Sequence, residues 1–217
     1  VIYDYIFTCD LREFFKKINK KKILINKKNK IKWLKWILWC KFVRKKLTPK
    51  IDDYKIYQNK INIYHFIIFL FKNLRNKEII VAADGAATVV PNQVGYLNKG
   101  VRYFANSGSA SMGFDLPGSV GAAIASPNKK IICLAGDGSI MMNIQELQTI
   151  KDLGLNILIF VINNDGYLSI KQTQNNFFKR EFGASSNSDL SFPDFKKVGK
   201  AFGIDSYSLN LENWKKK

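Results

Sequence analysis

Two short stretches hold the side chains best suited to chemistry. Gly136-Asp137-Gly138-Ser139 follows an apolar run at 131–135, and Asn163-Asn164-Asp165-Gly166 follows a second one at 157–162, with Asn164 lying 27 residues beyond Asp137. Asp137 offers a carboxylate, Asn164 an amide oxygen and Gly166 a carbonyl oxygen, three hard donors of the kind Mg²⁺ takes. Gly136 and Gly138 let the backbone bend, and the amides of Gly138 and Ser139 beside a helix start suit phosphate oxygens. A magnesium diphosphate satisfies both sets of groups. Alone, Gly-Asp-Gly-Ser reads equally as a β-turn, because Asp-Gly is a common turn dipeptide; the joint pattern is the more specific signal.

Both motifs directly follow predicted strands, and in an open parallel sheet ligands bind beyond the carboxyl ends of the strands. From Glu78 onward, short β-rich runs at 79–83, 102–105, 131–135 and 157–162 alternate with helical ones. This texture predicts an α/β fold of three layers, a mostly parallel sheet with helices on both faces. A buried helix is expected at 61–73. Small residues at 114–125 suit tight helix packing. The run 140–153 sets Ile140, Ile144, Leu147 and Ile150 on one helical face and stops before Gly154. A last helix is expected from Ser191, with Asp194 in its first turn, to Gly203.

With 217 residues and 47% apolar content, the chain can bury one substantial core and part of a second. The formal net charge of +18 is unevenly spread: residues 1–78 carry 21 Lys and Arg against 6 Asp and Glu, whereas 79–217 carry 14 against 11. Residues 1–18, an apolar run reaching Phe7 and then a short helix, read as the tail of a preceding domain. Residues 19–60 read as a basic linker, helical at 33–43 and interrupted by Pro49, Asp52 and Asp53, and 61–217 as the domain proper, cut short at its carboxyl end. Trp33, Trp36 and Trp39 among lysines admit a polyanion-binding or membrane-surface reading. A Lys/Asn/Ile bias is also what an AT-rich genome writes into any solvated linker, and no nucleic-acid or membrane partner is expected. No apolar run approaches the roughly 20 residues of a spanning helix. Cys9, Cys40 and Cys133 share no metal-ligand spacing, which points to reduced thiols and a cytoplasmic location. The missing initial Met and the abrupt Lys215–Lys217 end suggest a fragment of a longer polypeptide. His65, the single histidine, lies on an apolar helix and is expected to pack rather than transfer protons.

The Gly-Asp-Gly to Asn-Asn spacing resembles the signature of the thiamine-diphosphate (ThDP) dependent decarboxylase and synthase family, and over about residues 61–210 the chain is similar to its acetolactate synthase branch. Asn106-Ser-Gly-Ser-Ala-Ser-Met112-Gly-Phe resembles the family segment that holds the aminopyrimidine ring. The resemblance implies that Met112 supports the bent cofactor and that the Ala110 carbonyl accepts from the 4′-amino group; relatives commonly have Gly where this chain has Ala110. It places Asp137, Asn164 and Gly166 on the metal and Gly136, Gly138 and Ser139 at the diphosphate. Asp84-Gly85-Ala86-Ala87 matches the region near the diphosphate, through backbone contacts only. Ile170, on the helix after Asn-Asn, is the residue nearest the substrate. Lys171 is open between attracting a 2-oxo acid carboxylate and lying solvated on that helix.

By this resemblance the chain is the ThDP- and Mg²⁺-binding part of an enzyme that decarboxylates and ligates 2-oxo acids such as pyruvate, a transferase or lyase working as a homodimer or homotetramer. The activating glutamate belongs to a separate domain of such enzymes, and no catalytic residue is identified in this chain. FAD is not indicated by these residues and stays open for the parent enzyme. Two alternatives remain: a simple 2-oxo-acid decarboxylase, since Asn-Asp-Gly-Tyr occurs there too, and a non-catalytic truncated product whose basic arm binds polyanions.

Overall fold

The computed structural model describes residues 8–20, 27–48, 50, 52, 54, 60–75 and 77–215. The run before Phe7, Pro49 and Asp53 lie outside the described residues. The chain divides into two units, Val1–Thr48 and Pro49–Lys217. The first contains helices α1 (Leu11–Lys20) and α2 (Lys27–Leu47). Asp10 starts α1 by accepting the Arg12 amide at 2.8 Å. Arg44, Lys45 and Lys46 close α2, where their charge complements the negative end of the helix dipole. The helix extends beyond the expected 33–43 in both directions.

In the second unit, α3 (Ile63–Lys72) precedes β1 (Ile79–Ala82), α4 (Ala86–Val94), β2 (Arg102–Ala105), α5 (Asp115–Ala125) and β3 (Ile131–Gly136). There follow α6 (Asp137–Ile140), α7 (Glu146–Asp152), β4 (Ile157–Ile162), α8 (Leu168–Thr173) and α9 (Phe195–Ala201). The four strands form one sheet in the order β2-β1-β3-β4, and every pairing is parallel. The consecutive strands β2 and β3 flank β1 on opposite sides, so the winding reverses between β1 and β3. A crevice opens at such a reversal, at the carboxyl edge of the strands. Gly136 pairs with Ile162. The loops that start at Asp137 and Asn163 therefore leave the sheet side by side, at the same level.

The central strands β1 and β3 are apolar because both faces of the sheet are covered there. On one face Phe66, Ile67 and Phe71 of α3 and Ala87 and Val90 of α4 pack on Ile80, Ala82, Ile132 and Leu134. On the other, Leu116 and Val120 of α5 join Ile140, Leu147 and Ile150 around Cys133 and Ala135. The expected three-layer α/β architecture is what forms.

Two expected elements differ. The run 140–153 is not one helix: α6 ends at Ile140, a 3₁₀ turn covers Met141–Asn143, and α7 starts at Glu146. Asn143 turns its amide to the Gly113 carbonyl at 2.8 Å, a bond outside the helix ladder at the place where the ladder breaks. The apolar face survives the break, with Ile140, Leu147 and Ile150 buried and Ile144 partly so. The last helix starts four residues after Ser191, at Phe195. Its cap is Asp194, which accepts the amides of Lys196 at 2.9 Å and Lys197 at 3.3 Å. Pro193 explains the shift, since it pushes Phe192 out of helical geometry and defers the start.

Candidate functional site

Asp137 is the first residue after β3 and begins α6. Its side chain is 2% exposed. Oδ1 accepts the Gly138 amide at 2.8 Å; Oδ2 accepts the amides of Asn164 at 3.1 Å and Gly166 at 2.9 Å. The carboxylate thus ties together the two motifs that sequence spacing had paired. Burial pushes its pKa up from the ordinary aspartate value, and the amides of Gly166, Gly138 and Asn164 pull it back by favouring the charged form. Among the described residues no basic side chain bonds to it.

The loop from Asn163 to Tyr167 is held from outside as well as by Asp137. Asp165 has φ +63°, and its carboxylate accepts the Ser186 hydroxyl at 2.6 Å. The Tyr167 amide donates to the Ala184 carbonyl at 2.9 Å. Gly166 has φ +124°, and any Cβ there would run into the Ala184 backbone, so only glycine fits. Gly138 is required for another reason: it lies within α6, and a Cβ would collide with the ring of Tyr167. The expectation that Gly136 serves backbone bending is corrected by its φ of −80°, which any residue adopts.

The remaining expected residues are placed as follows. The Gly138 amide faces Asp137 rather than standing free, and Ser139 is buried at 6% exposure. Ala110 is exposed, with φ +50°, and its amide closes a turn onto the Asn106 carbonyl at 2.7 Å. Met112 is half-buried in the loop between β2 and α5. Asn164 has an exposed side chain, whereas Gly166 is buried and its carbonyl accepts the Leu168 amide at 3.0 Å. Ile170 is 47% exposed on α8, beside the half-buried Lys171. Asp84 bonds to the amide of Gly85, which has φ +57°. His65 lies on α3, whose face covers the sheet.

Sequence reasoning passed over Asp115 and Asn143. Asp115 is fully buried and accepts from the Ser139 hydroxyl and, at 2.9 Å, from the Leu116 amide. An acidic residue inside the apolar, small-residue run at 112–125 was the signal that could have exposed it. Among the described residues no group of three His, Cys, Asp or Glu side chains could hold a metal ion. A cation here would depend on one carboxylate plus amide and carbonyl oxygens. The donor set fits a hard cation that also carries phosphate: a buried carboxylate at a sheet edge, an exposed Asn164 amide and a carbonyl with a spare lone pair.

A doubly wound parallel sheet with a buried carboxylate bridging two loops at its carboxyl edge defines a doubly wound α/β domain, the class in which ligands bind at that edge. The family model of the thiamine pyrophosphate enzyme C-terminal TPP binding domain matches residues 84–216, and the chain belongs to that family. It is similar to the acetolactate synthase large subunit of Buchnera aphidicola subsp. Schizaphis graminum, at 34% identity over 181 residues, covering 83% of this chain and 31% of that protein. The Cyanidium caldarium large subunit is 42% identical over 103 residues, 48% of this chain and 17% of that one. Isozyme 2 of Escherichia coli K12 is 40% identical over 111 residues, 51% and 20% respectively. The chain spans less than a third of the length of these relatives.

Proposed function

We propose that this chain is the ThDP- and Mg²⁺-binding portion of a 2-oxo-acid decarboxylating and carboligating enzyme of the acetolactate synthase type, with pyruvate as the first substrate to test. The observation that carries the reading is the Asp137 carboxylate, which reaches the amides of both Asn164 and Gly166 at the carboxyl edge of the sheet. Bound there, ThDP supplies the electron sink that stabilises the carbanion left when a 2-oxo acid loses carbon dioxide. The protein's part is to hold and orient it. Asp137, the Asn164 amide oxygen and the Gly166 carbonyl would hold Mg²⁺, whose charge would offset the repulsion between a diphosphate and Asp137. Gly136, Gly138 and Ser139 would line the diphosphate. Met112 would support the cofactor, and the Ala110 carbonyl would accept from its amino group. Ile170 borders the substrate. The activating glutamate is expected on a domain other than the one these residues form, and turnover belongs to the intact enzyme, a homodimer or homotetramer, which we place in the cytoplasm.

Calorimetric titration tests this directly. Asp137→Ala should weaken Mg²⁺-dependent ThDP binding at least a hundredfold, and His65→Ala should leave it unchanged. Equal affinity in Asp137→Ala and the parent would refute the metal assignment. In the assembled enzyme, acetolactate as the product supports carboligation, whereas free aldehyde alone would reassign it as a simple decarboxylase.

A further inference from the structure

Asp115 is a fully buried carboxylate with no ion pair among the described residues. The groups near it are the Leu116 amide, the Ser139 hydroxyl and the Cys133 thiol. Burying such a group is costly, and an apolar residue of similar size would serve packing alone as well or better. What the carboxylate does is set the direction of a hydrogen-bond chain. An ionised Asp115 only accepts, so the Ser139 hydroxyl must donate to it, and Ser139 Oγ is then an acceptor toward the Gly113 amide at 2.9 Å. Asn143 Nδ2 takes the Gly113 carbonyl at 2.8 Å from the other side. Both polar groups of residue 113 are therefore held by the segment that follows β3, the segment that starts with Asp137. Gly113 immediately follows Met112.

Resting on the ThDP reading above, we propose that Asp115, acting through Ser139 and together with Asn143, is a positioning clamp that fixes the Met112 loop relative to Asp137, so that one ligand can touch both. Neither loop has another hydrogen bond to the other among the described residues. A ligand that reaches only the Asp137 end needs no clamp. A ligand that spans from Asp137 to Met112 binds at full strength only when the separation is already set.

The test compares two ligands on the 217-residue chain by calorimetry at saturating Mg²⁺: inorganic diphosphate, which occupies one end, and ThDP, which spans both. Asn143→Ala removes the donor to the Gly113 carbonyl at a residue that does not line the ligand. It should lower ThDP affinity about tenfold, the usual scale for one hydrogen bond, and change diphosphate affinity less than twofold. Asp115→Asn, which retains an acceptor, should recover most of the loss of ThDP affinity seen in Asp115→Ala. If thermal melts show that Asn143→Ala is unfolded, Asn143→Leu, close in shape and without the donor, carries the comparison with the same expected pattern. An equal fall for both ligands, or no fall for ThDP, overturns the clamp. A parent that binds diphosphate but not ThDP instead overturns the ThDP reading, and the clamp goes with it.

Discussion

Ala110 stands at φ +50°, in the left-handed region that costs an L-residue about 1–2 kcal/mol. Ala110→Gly removes that cost and adds about 0.5–1 kcal/mol of unfolded-state entropy, so the variant should be slightly more stable, with a Tm raised by a few degrees. A lower Tm would mean that the turn does not hold Ala110 as described. Asp115 titrates in the opposite sense to a salt-bridged aspartate. Burial raises its folded pKa above the ordinary 3.8, so its contribution to stability is fully present below 3.8 and is lost as pH rises through the folded value. Asp115→Asn cannot lose a proton. Denaturant melts should therefore show the parent losing stability relative to Asp115→Asn as pH rises from 3.8 to neutrality, and parallel curves would contradict this. At this scale the sequence displayed Asp137, Asn164 and Gly166 because their types and spacing are unusual together. It hid Asp115 and Asn143 because their roles depend on a contact across about 25 to 30 residues, which no local pattern encodes.

Strands and helices were legible to the extent that their apolar period is undisturbed. The limits of β2 and β4 are those read from the sequence: β4 is an apolar run, and β2 is Arg102 followed by the β-forming Tyr103 and Phe104. The segment 140–153 kept its buried face, which follows from spacing, but not its continuity, which gives way to a 3₁₀ turn at Met141–Asn143 that no period in the sequence marks. The start of α9 turns on Pro193 and gives a direct comparison. Asp194→Ala should cost about 1 kcal/mol through loss of the cap, and Ser191→Ala almost nothing. A larger effect at Ser191 would restore the earlier start.

Over the whole molecule, the hydrophobic clusters of the described residues are drawn entirely from 61–214, while the excess positive charge sits before Glu78. We accordingly expect limited proteolysis to cut before residue 60 first, and early cleavage inside 131–162 would contradict the assignment of the core. The strand order carries a further consequence. Among the described residues β4 pairs on one side only, with β3, and its sequence Ile-Leu-Ile-Phe-Val-Ile has no charge and no proline to blunt the open side. Such a border offers a row of unpaired amides and carbonyls to any extended chain. In the 217-residue chain the same six residues that seat the Asn163–Gly166 loop therefore form a template for fibrillar aggregation. Leu158, 37% exposed, is the place for a gatekeeper, and Leu158→Lys should delay the onset of thioflavin-positive assembly at high concentration while leaving β4 in the sheet.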